Sequence, residues 1–91
     1  MLKITKRGKK AWVTFTLPDS TVEKAFLKGS WNGWKAEAMK RKKSGEFYLM
    51  KILPTDTRYE FGYLADGEWR TDEELPDVQT PFGSRNSVLE L

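Results

Sequence analysis

Apolar and polar residues alternate with a period of two along most of this 91-residue chain, and no window of useful length carries the 3.6-residue period of a helix. Lys10 to Leu17 puts Val13, Phe15 and Leu17 on one face and Trp12, Thr14 and Thr16 on the other, the pattern of a half-buried strand, and Pro18-Asp19-Ser20 ends it as a turn. Glu23 to Gly29 alternates again. Ala25, Leu27 and Gly29 are expected to face the core there, with Lys24, Phe26 and Lys28 opposite. Gly29-Ser30-Trp31-Asn32-Gly33-Trp34 opens directly from that strand. Asn-Gly tolerates positive φ, so the chain can reverse sharply and hold two indoles in nearly fixed positions.

Ala36 to Lys40 reads as a short strand or as a single helical turn, and Ser44-Gly45 closes a hairpin into Glu46 to Leu53. In that strand Tyr48, Met50 and Ile52 share one face while Lys51 interrupts the other. Pro54-Thr55-Asp56 turns the chain into Arg58 to Ala65, where Tyr59, Phe61, Tyr63 and Ala65 point inward between Arg58, Glu60, Gly62 and Leu64. Asp66-Gly67 is a type I′ hairpin signal and returns the chain through Glu68-Trp69-Arg70-Thr71. From Asp72 to Pro81 the chain is acidic, holds two prolines and has no period, so a loop is expected; Ser87 to Leu91 is the last strand. Six or seven short strands spaced by turns predict an all-β sandwich of two antiparallel sheets, one domain over residues 1–91.

Composition narrows the chemistry. The chain has no cysteine and no histidine, which excludes a disulfide framework, zinc sites of the usual kinds and His-dependent nucleophilic catalysis. Neither a metal nor another cofactor is expected. Met1 to Arg7 is charged but has no apolar stretch behind it, so it is not a secretory signal, and the apolar runs are far too short to span a membrane. A cytoplasmic location is the expectation.

The net charge of +3 is unevenly placed. Lys3, Lys6, Arg7, Lys9 and Lys10 make residues 1–9 and their neighbour a basic, flexible N-terminus, and Lys40-Arg41-Lys42-Lys43 form a second cluster. Asp66, Glu68, Asp72, Glu73, Glu74 and Asp77 oppose them, and such a patch repels a phosphate backbone, so nucleic acid is not an expected partner. Two tryptophans on one turn suit a flat apolar ligand face or a core. Trp31 divides evenly between these readings, whereas Trp34, beyond the turn and followed by Lys35, points to a surface.

Gly29-Ser30-Trp31-Asn32-Gly33-Trp34, Tyr63-Leu64-Ala65-Asp66-Gly67-Glu68-Trp69 and Phe82-Gly83-Ser84-Arg85-Asn86-Ser87-Val88, in this order, resemble the family-48 carbohydrate-binding modules. That family includes the glycogen-binding domain of AMP-activated protein kinase beta subunits and the N-terminal early-set domains of isoamylases and branching enzymes. The resemblance covers about Val13 to Leu91 and implies an immunoglobulin-like early-set sandwich that binds α-1,4-linked glucan without catalysis. It implies stacking platforms at Trp34 and Trp69, an apolar insertion at Phe82, and hydrogen bonds to sugar hydroxyls from Ser84 and Asn86. It also implies a lysine where this chain has Gly62. Gly62 falls on the outward face, so Gly62→Lys is expected to add a donor and raise affinity. Trp31 stands where the family pattern has Phe, a core position.

The partners implied are an α-glucan and a separate glucan-metabolising enzyme. No catalytic barrel follows the module in this sequence, which reads as a module acting alone or as a tether. The competing reading is an immunoglobulin-like interaction or structural module that has lost sugar binding, since exposed tryptophan also serves protein interfaces. A glycosidase built on two of Asp66, Glu68, Asp72 and Glu73 is disfavoured, because acids in turns and polar loops stay ionised.

Overall fold

The computed structural model describes residues 2–91; Met1, the first residue of the basic N-terminus, lies outside them. Ten strands make two antiparallel sheets: β1 (Leu2–Arg7), β2 (Lys10–Leu17), β3 (Ala25–Gly29), β4 (Glu37–Ala38), β5 (Lys40–Arg41), β6 (Phe47–Pro54), β7 (Arg58–Ala65), β8 (Glu68–Arg70), β9 (Asp77–Gln79) and β10 (Arg85–Glu90). One sheet has the order β1-β2-β6-β5 and the other β4-β3-β7-β10-β9, with β8 also on β7. The strands β8 and β10 share one edge of β7, β10 beside residues 58–61 and β8 beside residues 63–65. That end-to-end arrangement brings the Trp69 side chain of β8 to the last strand, where its Nε1–H reaches Arg85 O.

The core is what the alternation expects. Val13, Phe15 and Leu17 face Ala25, Leu27, Tyr59, Phe61, Tyr63 and Ala65, all buried. Phe61 lies edge-on to both Phe15, at 5.0 Å, and Tyr63, at 5.8 Å, a favourable aromatic geometry. On β6 the inward face is Phe47, Leu49 and Leu53; Met50 and Ile52 face outward at 52% and 50% exposure. Lys51 sits on the inward face near the sandwich edge, where its ammonium reaches Glu37 Oε1 at 2.6 Å.

Asp66 does more than turn the chain. Its carboxylate accepts the backbone N–H groups of Lys24 (2.9 Å) and Glu23 (3.0 Å), fixing the entry into β3. Those bonds hold its carboxyl below the usual range. Across the sandwich Arg70 donates to Asp19 at 2.6 Å and holds that carboxyl at about 2. Asp72 is buried at 4% exposure and accepts from the Tyr63 hydroxyl at 2.9 Å, and burial together with this charge pushes the Tyr63 hydroxyl upward.

Three local expectations are corrected. The N-terminus is not a free extension over residues 2–7: β1 pairs with β2 along its whole length, Leu2 opposite Phe15 and Ile4 opposite Val13. The acidic stretch after Asp72 is not all loop, because Asp77–Gln79 pairs with Arg85–Ser87 as an edge strand. Three residues are too few to show a period. In the tryptophan turn, positive φ falls at Gly33 (71°) and Trp34 (67°), while Asn32 ends the 3₁₀ turn Ser30–Asn32 and its Oδ1 accepts Lys35 N–H at 3.1 Å.

Trp31 resolves to the core side. Its ring packs on Phe15 (5.2 Å), Phe61 (6.0 Å) and Tyr59 (6.2 Å), and seats directly on Gly29, where a Cβ would collide with it. Its indole N–H is buried with no hydrogen-bond partner. An orphaned buried donor costs about 1–3 kcal/mol, enough to offset much of the packing lost in trimming indole to phenyl. Trp31→Phe is therefore expected to leave the melting temperature unchanged or raise it in a thermal melt; a drop of more than a few degrees would show that ring volume outweighs the orphaned donor.

Candidate functional site

The outward face of the second sheet holds an open trough of about 790 Å³ lined by residues far apart in sequence. Trp34 arrives from the turn after β3, Trp69 from β8, Phe82 and Ser84 from the β9–β10 loop, and Asn86 from β10. All five residues singled out from the sequence meet there. Lys28, Arg58, Glu60, Val78, Gln79, Thr80 and Pro81 complete the lining.

Each member is held by a local device. Trp34 keeps a left-handed backbone that L side chains adopt only at a cost of about 1–3 kcal/mol, and its N–H returns to Gly29 O at 3.0 Å. This turn sets the indole beside its neighbour: the Trp34 and Trp69 centroids lie 6.4 Å apart, with ring planes at 57°. Trp69 donates its Nε1–H to Arg85 O at 2.8 Å, which pins the indole against the last strand. Phe82 stands on the tip of its loop at 94% exposure. Thr80 shapes that tip by accepting Phe82 N–H on its hydroxyl (3.2 Å) and sharing a hydrogen bond with the Ser84 hydroxyl (2.8 Å). Arg85 clamps the loop base with two bonds to Asp77, at 2.8 and 2.9 Å, which lowers the Asp77 carboxyl pKa. Asn86 is nearly buried in the trough floor and donates from Nδ2 to Glu60 Oε1 at 3.3 Å.

Gly62 departs from the expectation drawn for it. It does lie on the outward face, but it is buried, because the Trp69 indole rests flat on it and a Cβ at this position would run into the ring. The surface at Gly62 is therefore closed to an added side chain, and Gly62→Lys is expected to lose affinity, not gain it.

The trough residues that sequence reading did not single out include four with polar side chains, Lys28, Arg58, Glu60 and Thr80, besides Val78, Gln79 and Pro81. Lys28 and Glu60 were legible only as outward positions of their strands. Their convergence follows from the β3–β7–β10 register, which sets Lys28 opposite Gly62 and Glu60 opposite Val88. Elsewhere, a cavity of about 270 Å³ is bounded in part by two bonded pairs, Arg70 with Asp19 and Tyr63 with Asp72.

Residues 13–91 match the family described as the glycogen recognition site of AMP-activated protein kinase. The chain belongs to this family. It is 34% identical over 65 residues to the SNF1-related protein kinase regulatory subunit beta-2 of Arabidopsis thaliana, and 36% identical over 74 residues to Protein PTST homolog 2, chloroplastic, of the same organism. These alignments cover 71% and 79% of this chain but only 22% and 13% of the relatives, so the chain spans less than a quarter of either. Among solved structures, the enterobactin esterase FES from Shigella flexneri superposes with a TM-score of 0.81 over 99% of this chain and 32% of its own, at 13% identity. That likeness concerns the fold alone.

Proposed function

We propose that the trough binds α-1,4-linked glucan by stacking sugar rings on Trp34 and Trp69, with Phe82 against the inner curve of the chain and Ser84 and Asn86 bonding hydroxyls. The observation that carries this is the convergence of these five side chains, from four separate segments, on one open face of a carbohydrate-recognition module. Sugar rings present apolar C–H faces to aromatics and equatorial hydroxyls around their edges, so a site needs flat rings flanked by a few placed polar groups. Two platforms inclined at 57° suit a ligand that turns between successive units. An α-1,4 chain curves in this way; a β-1,4 chain runs straight.

The module works without catalysis. Of the acids weighed for hydrolysis, Asp66 caps the entry to β3 and Asp72 is buried on Tyr63, and neither lines the trough. A relative named as a kinase regulatory subunit supports a tethering role, holding a glucan-metabolising or regulatory partner on its polymer.

Calorimetric titration with maltoheptaose and with cellohexaose, at low and high salt, tests the reading. Binding is expected for maltoheptaose only and with little salt dependence, because a neutral ligand releases no counterions. Absence of maltoheptaose binding, or affinity that collapses with salt, would overturn it.

A further inference from the structure

The trough contains an ammonium group that no interaction within the domain claims. Lys28 lies on β3 directly opposite Gly62 in the ladder, and Gly62 carries the Trp69 indole, so the lysine flanks that ring. Among the described residues the ion pairs use Lys51, Arg70 and Arg85, and the cation–π contacts use Arg41 over Phe47 and Lys42 over Tyr48. Lys28 enters neither set. Its side chain is half-buried along the trough wall while its three donors are uncommitted and both indole faces stay clear of its charge.

A sugar stacked on an indole directs its equatorial hydroxyls outward in the ring plane. Groups beneath the ring cannot reach them; groups beside it can. Lys28 stands on the β3 side of the Gly62–Trp69 stack, and Asn86, beside Arg85 whose carbonyl pins Trp69, stands on the β10 side. We propose that Lys28 is a specificity-determining residue of this site, donating hydrogen bonds to hydroxyls of the glucose unit stacked on Trp69. Gly62, with no side chain, leaves the indole low enough for the lysine to reach past it. This inference rests on the glucan reading above.

The test compares wild-type protein with Lys28→Met, which keeps the apolar stem and loses every donor, and Lys28→Arg, which restores them. Lys28→Ala serves if the methionine variant folds poorly. Maltoheptaose affinity, measured by calorimetry, is expected to fall about tenfold for Lys28→Met, the scale of one hydrogen bond to a charged donor, and to recover in Lys28→Arg. Thermal melts are expected to stay unchanged, which a merely structural role would not allow. Wild-type binding with Lys28→Met within twofold of it would overturn this inference alone. Failure of the wild type to bind maltoheptaose would overturn the glucan reading as well.

Discussion

Replacing Gly62 with alanine is expected to lower both melting temperature and glucan affinity. The added methyl group meets three carbons of the Trp69 indole. The ring cannot retreat into β7, so it must lift, and lifting breaks the bond from Trp69 Nε1 to Arg85 O. Overpacking of this kind costs about 1–3 kcal/mol. Against that stands about 0.5–1 kcal/mol gained when a strand glycine becomes alanine. The net loss corresponds to a melting point several degrees lower for a domain of this size. Affinity falls further, at least tenfold, because the displaced indole no longer presents its face at the angle set by Trp34. Gly62→Lys adds a longer chain to the same collision and is expected to bind no better. Unchanged melts and unchanged affinity in Gly62→Ala would mean that Trp69 is not seated on this glycine.

The second large effect is expected from the platforms themselves. Trp34→Ala and Trp69→Ala each remove one stacking surface, a contact of roughly 0.5–1.5 kcal/mol beyond the apolar area it buries, so a loss of tenfold or more per ring follows. Both side chains are half-exposed and stand outside the buried core, so both variants are expected to fold. Removing the two together is expected to leave no measurable binding to maltoheptaose in the same calorimetric titration. Loss of folding in either single variant would place that ring in the core and take it out of the site.

The sandwich was legible because its core strands obey a strict period of two. Arg58 to Ala65 shows this best: every inward position expected there is buried. The Asp66-Gly67 turn was equally plain, with both residues at positive φ, at 49° and 83°. Short edge elements were not legible. Asp77–Gln79 has only three residues, and its pairing is decided by β10, outside any local window. Leu2–Arg7 reads as a charged terminus because Lys3, Lys6 and Arg7 make half of this edge strand cationic, and charge there discourages pairing with other chains.

The site divides along the same line. Trp34, Trp69, Phe82, Ser84 and Asn86 were found from motifs, and they do meet in one trough. What no motif reveals is the vertical relation of Trp69 to Gly62. An alternation pattern assigns a residue to a face without telling whether another side chain already covers it, and here a tryptophan on the neighbouring strand β8 does. Lys28 was hidden for a related reason, since its importance lies in the register that sets it beside that covered glycine.

The most direct test of the central claim uses the chain's four tryptophans as internal reporters. Their indole N–H signals separate in a nitrogen–proton correlation spectrum, and they occupy three settings: Trp34 and Trp69 in the trough, Trp31 against the core, Trp12 on the outer face of the other sheet. Titration with maltoheptaose is predicted to move the signals of Trp34 and Trp69 and to leave that of Trp12 in place. Movement of Trp12 alone, or no movement at Trp34 and Trp69 at saturating sugar, would contradict the account.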